Sequence, residues 1–250
     1  MKTIIHSSIA IIILLLLIGC NNKNRVEKRI DDDGFLIEYH FSNDTLYYYK
    51  MFYPSGKLLY EVPLANGLPT GIETEYYEDG SIKQQGVRTN NLATGWHYYY
   101  GINQQVDSII EFIPSSPNIF LAPIFSNTDD ESVSMRSRSL IYEDGEINAE
   151  KSIFFEISLE RDTVLLGDTV NVSVDFMNQT NNQKNEIQIW FRDGDGNIIR
   201  ASYSDNRGQV VLFDFISKAR GEQMLHGMIR EFLPNDEIKD WFFKQSYYVK

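Results

Sequence analysis

A short pattern that occurs twice, at an offset of 24 residues, is the strongest constraint on the fold of this chain. The two copies are Phe52-Tyr53-Pro54-Ser55-Gly56-Lys57-Leu58 and Tyr76-Tyr77-Glu78-Asp79-Gly80-Ser81-Ile82. Each copy has an aromatic pair that can end a strand, a glycine that provides the positive φ of a tight turn, and an apolar residue that can begin the return strand. Gly71 and Gly95 share the same offset. A period of this length indicates a stacked array of β-strands.

The array is expected to extend beyond these two copies. Residues 35–41 alternate between the two faces of a half-buried strand, and residues 35–50 are predicted to form a hairpin that caps one end. A degenerate third copy begins at Tyr100, where Gln104 replaces the turn glycine. Residues 106–112 are predicted to form the strand that caps the other end.

The repeated pattern, two tyrosines, a turn glycine, an isoleucine and a following Asn-Gly turn, resembles MORN-type repeats in the variant form of bacterial envelope proteins. The resemblance covers residues 50–105. It implies an antiparallel β-meander that serves as a scaffold and, in some members, contacts protein or lipid. It implies no known reaction.

The many aromatic residues of the array suggest two interpretations. They could form a stacking platform for a glycan, or alternate members could simply belong to the core while the others are ordinary strand residues. The pattern of alternation favours the second interpretation. The residues concerned are Tyr47, Tyr48, Tyr49, Tyr76, Tyr77, Trp96, Tyr98, Tyr99 and Tyr100.

The second half of the chain has a different sequence pattern, without the 24-residue repeat. Residues 151–250 contain about seven short strands separated by turns, which is typical of an immunoglobulin-like β-sandwich. Residues 113–150 contain two early prolines and a polar acidic stretch, and they are predicted to be a linker with a possible hairpin at residues 142–147. The predicted fold is therefore all-β, with a MORN-like meander at residues 33–112 followed by the sandwich.

The start of the chain predicts its location. Lys2 precedes an apolar run at residues 9–18 that is too short to span a bilayer, then Gly19 and Cys20, the only cysteine. This arrangement resembles the lipobox of bacterial lipoproteins, which implies a signal peptide at residues 1–19 and acylation of Cys20. A tether is expected at residues 20–32.

Two features of this segment leave alternatives. An ordinary N-terminal signal with an incidental cysteine would also contain an apolar run. By resemblance to the sorting rules of enteric bacteria, Asn21 after the cysteine favours the outer membrane. The lipid anchor makes the membrane the first expected partner, because two or more acyl chains hold a protein stably while one does not.

Charge and motifs exclude several functions. The formal net charge of −12 repels phosphate, so nucleic acid is not an expected partner. Asp193, Asp195 and Asn197 resemble the first ligands of a calcium loop, but Ile198 and Ser204 occupy the positions of the required glycine and glutamate, and a hairpin turn explains the sequence better. His40, His97 and His226 are isolated, so zinc is not supported.

The expected function follows from these exclusions. No nucleophile or phosphate-binding motif is present, so no catalytic residue, metal or cofactor is predicted. We expect a non-enzymatic envelope lipoprotein that acts as a scaffold or interaction module for an envelope protein or a surface polysaccharide. A hydrolase of envelope or glycan material, or an accessory subunit of a larger machine, remains an alternative.

Overall fold

The computed structural model describes residues 24–115, 133–149, 151–176, 184–192, 198–205, 210–232 and 238–250. Every regular element in these ranges is a β-strand. Within the same ranges, no helix has the length and apolar character needed to cross a membrane. The all-β class predicted from the sequence is thus confirmed.

The N-terminal half is one antiparallel sheet of eleven strands. Its strands pair in chain order except at β5. This short strand pairs with β4 outside the main order, in which β4 is followed by β6. This is the meander that the repeat predicts. The strands are β1 (Asn24–Ile30), β2 (Leu36–Ser42), β3 (Thr45–Phe52), β4 (Leu58–Ala65), β5 (Leu68–Pro69), β6 (Gly71–Tyr76), β7 (Ile82–Thr89), β8 (Leu92–Tyr100), β9 (Val106–Ser115), β10 (Val133–Glu143) and β11 (Glu146–Ile147).

At one end of the strands, the turns that connect them form a surface called here the glycine edge. Four of these turns have the same backbone hydrogen bonds. In the turn at residues 53–57, the Tyr53 N–H donates to the Lys57 carbonyl at 2.8 Å and the Gly56 N–H to the Tyr53 carbonyl at 2.8 Å. The same two bonds recur in the turns at residues 31–35, 77–81 and 101–105. Gln104 takes the place of the glycine at a φ of 62°, so this turn has the same conformation as those of the two intact copies.

At the other end of the strands, the turns form the surface called here the asparagine edge. These turns are Asn43 and Asp44, Asn66 and Gly67, and Asn90 and Asn91. All six residues have positive φ, the conformation that matches the twist of a two-residue hairpin. Neighbouring turns are joined, because the Asn91 N–H donates to the Pro69 carbonyl at 2.8 Å.

The meander is longer at both ends than the domain bounds predicted from the sequence. Asn24–Ile30, which fall in the expected tether, form β1 and pair with β2 along their whole length. All seven side chains of β1 are exposed, so no alternation of apolar residues marks this strand in the sequence. At the other end, β9 continues to Ser115, and β10 and β11 form the hairpin expected at residues 142–147. The acidic stretch at residues 127–134 lies mostly outside the described residues.

The C-terminal half consists of two sheets. One has the order β12-β14-β17 and the other the order β13-β19-β18-β15-β16, with β13 parallel to β19. The chain crosses repeatedly between the sheets, a connectivity compatible with the immunoglobulin-like sandwich that the sequence predicts. The strands are β12 (Phe155–Leu159), β13 (Thr163–Val164), β14 (Thr169–Phe176), β15 (Lys184–Arg192), β16 (Ile198–Asp205), β17 (Val210–Ile216), β18 (Gly221–Phe232) and β19 (Ile238–Val249).

An apolar core fills the space between these two sheets. The Phe155 and Phe243 rings, one from each sheet, lie 6.1 Å apart, and those of Phe215 and Tyr247 lie 5.7 Å apart. Alternate residues of β14 point inward, as the period-two pattern of its sequence predicts. The buried cluster comprises Phe155, Val164, Val170, Val172, Val174, Phe176, Phe213, Phe215, Leu225, Ile229, Phe243, Tyr247 and Val249.

Candidate functional site

The meander buries a carboxylate on one of its faces. The side chain of Glu73 on β6 is 4 % exposed and accepts a 2.8 Å hydrogen bond from the Tyr60 hydroxyl on β4. Arg88 on β7 donates from Nε to the same oxygen, Oε2. Because these residues come from three adjacent strands, the carboxylate ties the strands together through charge-assisted hydrogen bonds.

His97 on β8 completes this buried cluster. Its side chain is 1 % exposed and its Nε2 lies 3.0 Å from the Val87 carbonyl oxygen. Since a carbonyl only accepts, Nε2 carries a proton, and the neutral ring presents an unprotonated Nδ1. Nδ1 lies 3.7 Å from Oε1 of Glu73, and neither atom has a hydrogen-bond partner among the described residues.

The local backbone explains why the histidine fits there. The ring lies against Gly86, where an added Cβ would come within 2.1 Å of Nδ1. The Phe112 ring packs edge-on against the imidazole at a centroid distance of 5.0 Å. Burial lowers the pKa of His97, and the nearby Glu73 carboxylate opposes this effect.

This cluster is suited to holding strands together and to binding a proton. An Nδ1 and a carboxylate oxygen that both lack donors can share one proton. The two side chains are 1 % and 4 % exposed, so a substrate cannot reach them without opening of the sheet. The sequence patterns did not reveal Glu73, although it occupies the position equivalent to His97 in the preceding repeat, 24 residues earlier.

A second carboxylate organises the opposite face. Glu61 on β4 accepts hydrogen bonds from the hydroxyls of Tyr48 at 3.0 Å and Tyr76 at 2.7 Å. Lys50 lies 3.2 Å from the same carboxylate. Burial, followed by these hydrogen bonds, raises the pKa of Tyr48 and of Tyr76 to about 12.

The contacts of the tyrosines in the array distinguish those that form internal hydrogen bonds from those that are exposed to solvent. Tyr48 and Tyr76 are committed to Glu61, and the hydroxyl of Tyr77 donates to the Tyr100 carbonyl at 2.7 Å. Tyr47 and Tyr98 are 43 % and 39 % exposed. The array therefore uses several of the candidate platform residues internally and presents others to solvent.

A polar cleft of about 310 Å³ lies where the meander meets the sandwich. Its meander wall carries Glu111 and Arg138, joined by two hydrogen bonds of 2.7 and 2.9 Å. The Arg138 guanidinium also lies 5.2 Å from the Trp96 ring and 5.3 Å from the Phe154 ring, so it is held from several sides. The cleft is lined by Glu111, Ile113, Ser137, Arg138, Phe155, Glu156, Ile157, Phe243, Lys244 and Gln245.

The two halves are also joined by backbone and side-chain hydrogen bonds beside this cleft. Ser139 of β10 and Ile153 exchange two backbone hydrogen bonds of 2.8 Å. The Ser152 hydroxyl accepts from the Ile141 N–H at 2.9 Å. The cleft therefore lies beside a hydrogen-bonded junction of the two halves, and such junctions are frequent places for binding sites.

The remaining residues singled out in the sequence lie apart from these clusters. Cys20 falls outside the described residues, and so do Asp193, Asp195 and Asn197. His40 lies on β2 beside Glu38, with a 3.2 Å contact, while His226 lies on β18. In the part of the chain that the structure describes, no three potential metal ligands cluster.

Comparison with protein families identifies the repeat. The MORN repeat variant matches residues 48–66 and 69–90, which include β4, β6 and β7 and most of β3. No curated protein matches the chain. The matched segments indicate a repeat-based interaction or binding module in the N-terminal half.

Proposed function

We propose that this chain is a lipid-anchored protein of the cell envelope that acts as a non-catalytic interaction module. Its partner would be another envelope protein or a surface polysaccharide. The observation that carries the proposal is the position of Cys20, the only thiol, directly after an apolar run that ends in Gly19. Only three residues separate Cys20 from the start of β1, so the folded array lies close to the anchor.

The surface of the array supports the interaction role. Apolar side chains such as Ile72 and Val87, a cross-strand pair on β6 and β7, are 57 % and 42 % exposed. A single twisted sheet presents two faces to its surroundings, whereas a sandwich hides one face of each sheet. The array therefore displays more strand surface than an enclosed domain of similar length.

Incorporation of labelled palmitate tests the anchor. The full-length chain should incorporate label, and Cys20→Ala should abolish it, because the thiol is the acylated group. Asn22→Ala, two residues away, is the matched control and should label normally. Labelling that persists in Cys20→Ala would contradict the proposal.

Recovery of a partner tests the interaction role. Purification of the chain from solubilised membranes should enrich one stable partner, and Ile72→Asp with Val87→Asp should reduce its recovery. Lys57→Asp, at an exposed turn, is the control for added negative charge. Turnover of an ester or glycan substrate by the purified chain would instead favour a hydrolase.

A further inference from the structure

The topology fixes which edge of the meander lies nearest to Cys20. Asn24, the first residue of β1, pairs with Ser42 beside the turn of Asn43 and Asp44, so β1 begins at the asparagine edge. Cys20 lies four residues earlier, and four residues span at most about 14 Å. Once Cys20 is acylated, this end of the edge cannot move further than that from the lipid.

Charge separates the described turns at the two edges of the sheet. The three asparagine-edge turns contain one carboxylate, Asp44, and it forms an ion pair with Arg25. The glycine edge has one lysine, Lys57, and several carboxylates. These are Asp31, Asp32, Asp33, Glu78 and Asp79. An anionic lipid surface therefore repels these glycine-edge turns more strongly than the three asparagine-edge turns.

Hydrogen bonds between uncharged groups also link two of the turns at the asparagine edge. Besides the bond from Asn91 to Pro69, the Asn90 N–H donates to the Thr70 hydroxyl at 3.2 Å, so adjacent turns are linked. Leu68, at the same edge, is 44 % exposed. Amide groups and one exposed leucine fit the polar headgroup layer and its boundary with the acyl chains.

The alternative orientation, in which the outermost strand β1 lies along the membrane surface, is less favourable. β1 carries Arg25, Lys28 and Arg29, but Lys28 forms a 2.7 Å ion pair with Glu38 and Arg25 is paired with Glu27. The aspartates at residues 31–33 follow directly. A bilayer along β1 would therefore bring those carboxylates close to anionic lipid.

We propose that the asparagine edge is the membrane-facing surface of the array and that the lipid headgroup layer is its occupant. This inference rests on the proposed acylation of Cys20. The strands then stand along the bilayer normal, and the glycine edge points away from the membrane. Strands of seven to nine residues separate the two edges by about 25 Å. The connection at residues 116–132, which joins β9 to β10 at this same edge, lies outside the described residues.

Introduced cysteines can test the orientation, because acylation of Cys20 leaves no other thiol. Leu68→Cys places a fluorophore at the asparagine edge, Ser55→Cys places one at the glycine edge, and Val26→Cys places one within β1. Each lipidated, full-length variant is reconstituted in phosphatidylethanolamine–phosphatidylglycerol vesicles that contain a headgroup quencher. Circular dichroism and the melting temperature confirm that each variant is folded.

The expected order of quenching is Leu68→Cys first, then Val26→Cys, then Ser55→Cys. A difference of at least about threefold between the first and the last is expected, since about 25 Å separates the two edges. Equal quenching at the three positions, or strongest quenching at Val26→Cys, overturns the orientation. Failure of palmitate labelling and of vesicle association would instead overturn the lipid anchor, so the two failures are distinguishable.

Discussion

The two halves of the molecule bury different kinds of side chain. Among the described residues, those buried in the sandwich half are apolar or aromatic apart from the serines Ser152 and Ser217, whereas those buried in the meander include Glu73, Thr74 and His97. The difference follows from the number of layers. Two packed sheets enclose an apolar space, whereas a single sheet must hold its strands with hydrogen bonds and ion pairs as well as with the few apolar side chains that it covers.

In both halves, a glycine on one strand lies directly under a ring on the neighbouring strand. Gly227 lies under the Phe243 ring, where an added Cβ would come within 2.0 Å of a ring atom, and Gly86 lies under the His97 ring at 2.1 Å. In the sandwich the covered ring belongs to an apolar core. In the meander it belongs to a polar cluster, so the two sites should respond differently to mutation and to pH.

Removal of the phenylalanine ring should have the largest effect. We expect Phe243→Ala to lower the free energy of unfolding of the sandwich by about 3–5 kcal/mol, because it leaves a cavity between the two sheets. Urea denaturation followed by hydrogen exchange of individual peptides reports each half separately. Leu212→Ala, which shortens a side chain that is 73 % exposed, should change stability by less than about 0.5 kcal/mol. A small effect of Phe243→Ala would contradict an apolar core.

Removal of the buried carboxylate should weaken the meander by less. We expect Glu73→Ala to cost about 2–3 kcal/mol, since it leaves Arg88 without a counter-ion and Tyr60 without an acceptor. The 30 % exposure of the Arg88 side chain keeps the cost below that of a fully buried pair. Glu78→Ala, at an exposed turn, is the control. If both variants behave alike, polar contacts do not hold the meander.

The pH dependence should distinguish the meander from the sandwich. Burial lowers the pKa of His97, so the unfolded chain binds a proton at higher pH than the folded chain. The meander therefore loses stability as the pH falls below about 6.5, by at most about 1.4 kcal/mol per pH unit. Hydrogen exchange of peptides from β7 and β8 between pH 8 and pH 5.5 measures this change.

The matched variant for that experiment is His97→Asn. It is expected to be less stable at pH 8 because the contact with Phe112 is lost, but its stability should no longer fall over the same pH interval. Glu73 and Arg88, which face the imidazole, are unchanged in this variant. An unchanged pH dependence in His97→Asn would assign the effect to other groups.

The sequence alone predicts the backbone of this molecule better than its interactions. Turn residues such as Gly56 and Gly80 and the alternation in residues 170–176 are local signals, and they predict the meander and the strands of the sandwich correctly. β1 has no such signal, because its pairing depends on backbone groups and its side chains are exposed. The pairing of Glu73 with Arg88 depends on strand register, which a single sequence does not reveal.

The smallest expected effect concerns the degenerate copy of the repeat. Gln104 adopts a φ of 62°, which costs a residue with a Cβ about 1 kcal/mol relative to glycine. Its side-chain amide donates to the Ile82 carbonyl at 3.0 Å, and this bond offsets part of the cost. We therefore expect Gln104→Gly to stabilise the meander by about 0.5 kcal/mol. Gln104→Ala keeps the backbone cost and loses the bond, so it should destabilise. If Gln104→Gly is also destabilising, the hydrogen bond from the Gln104 amide stabilises this turn by more than the positive φ costs. The turn of the third copy then depends on a side-chain hydrogen bond, whereas the turns of the two intact copies depend on glycine.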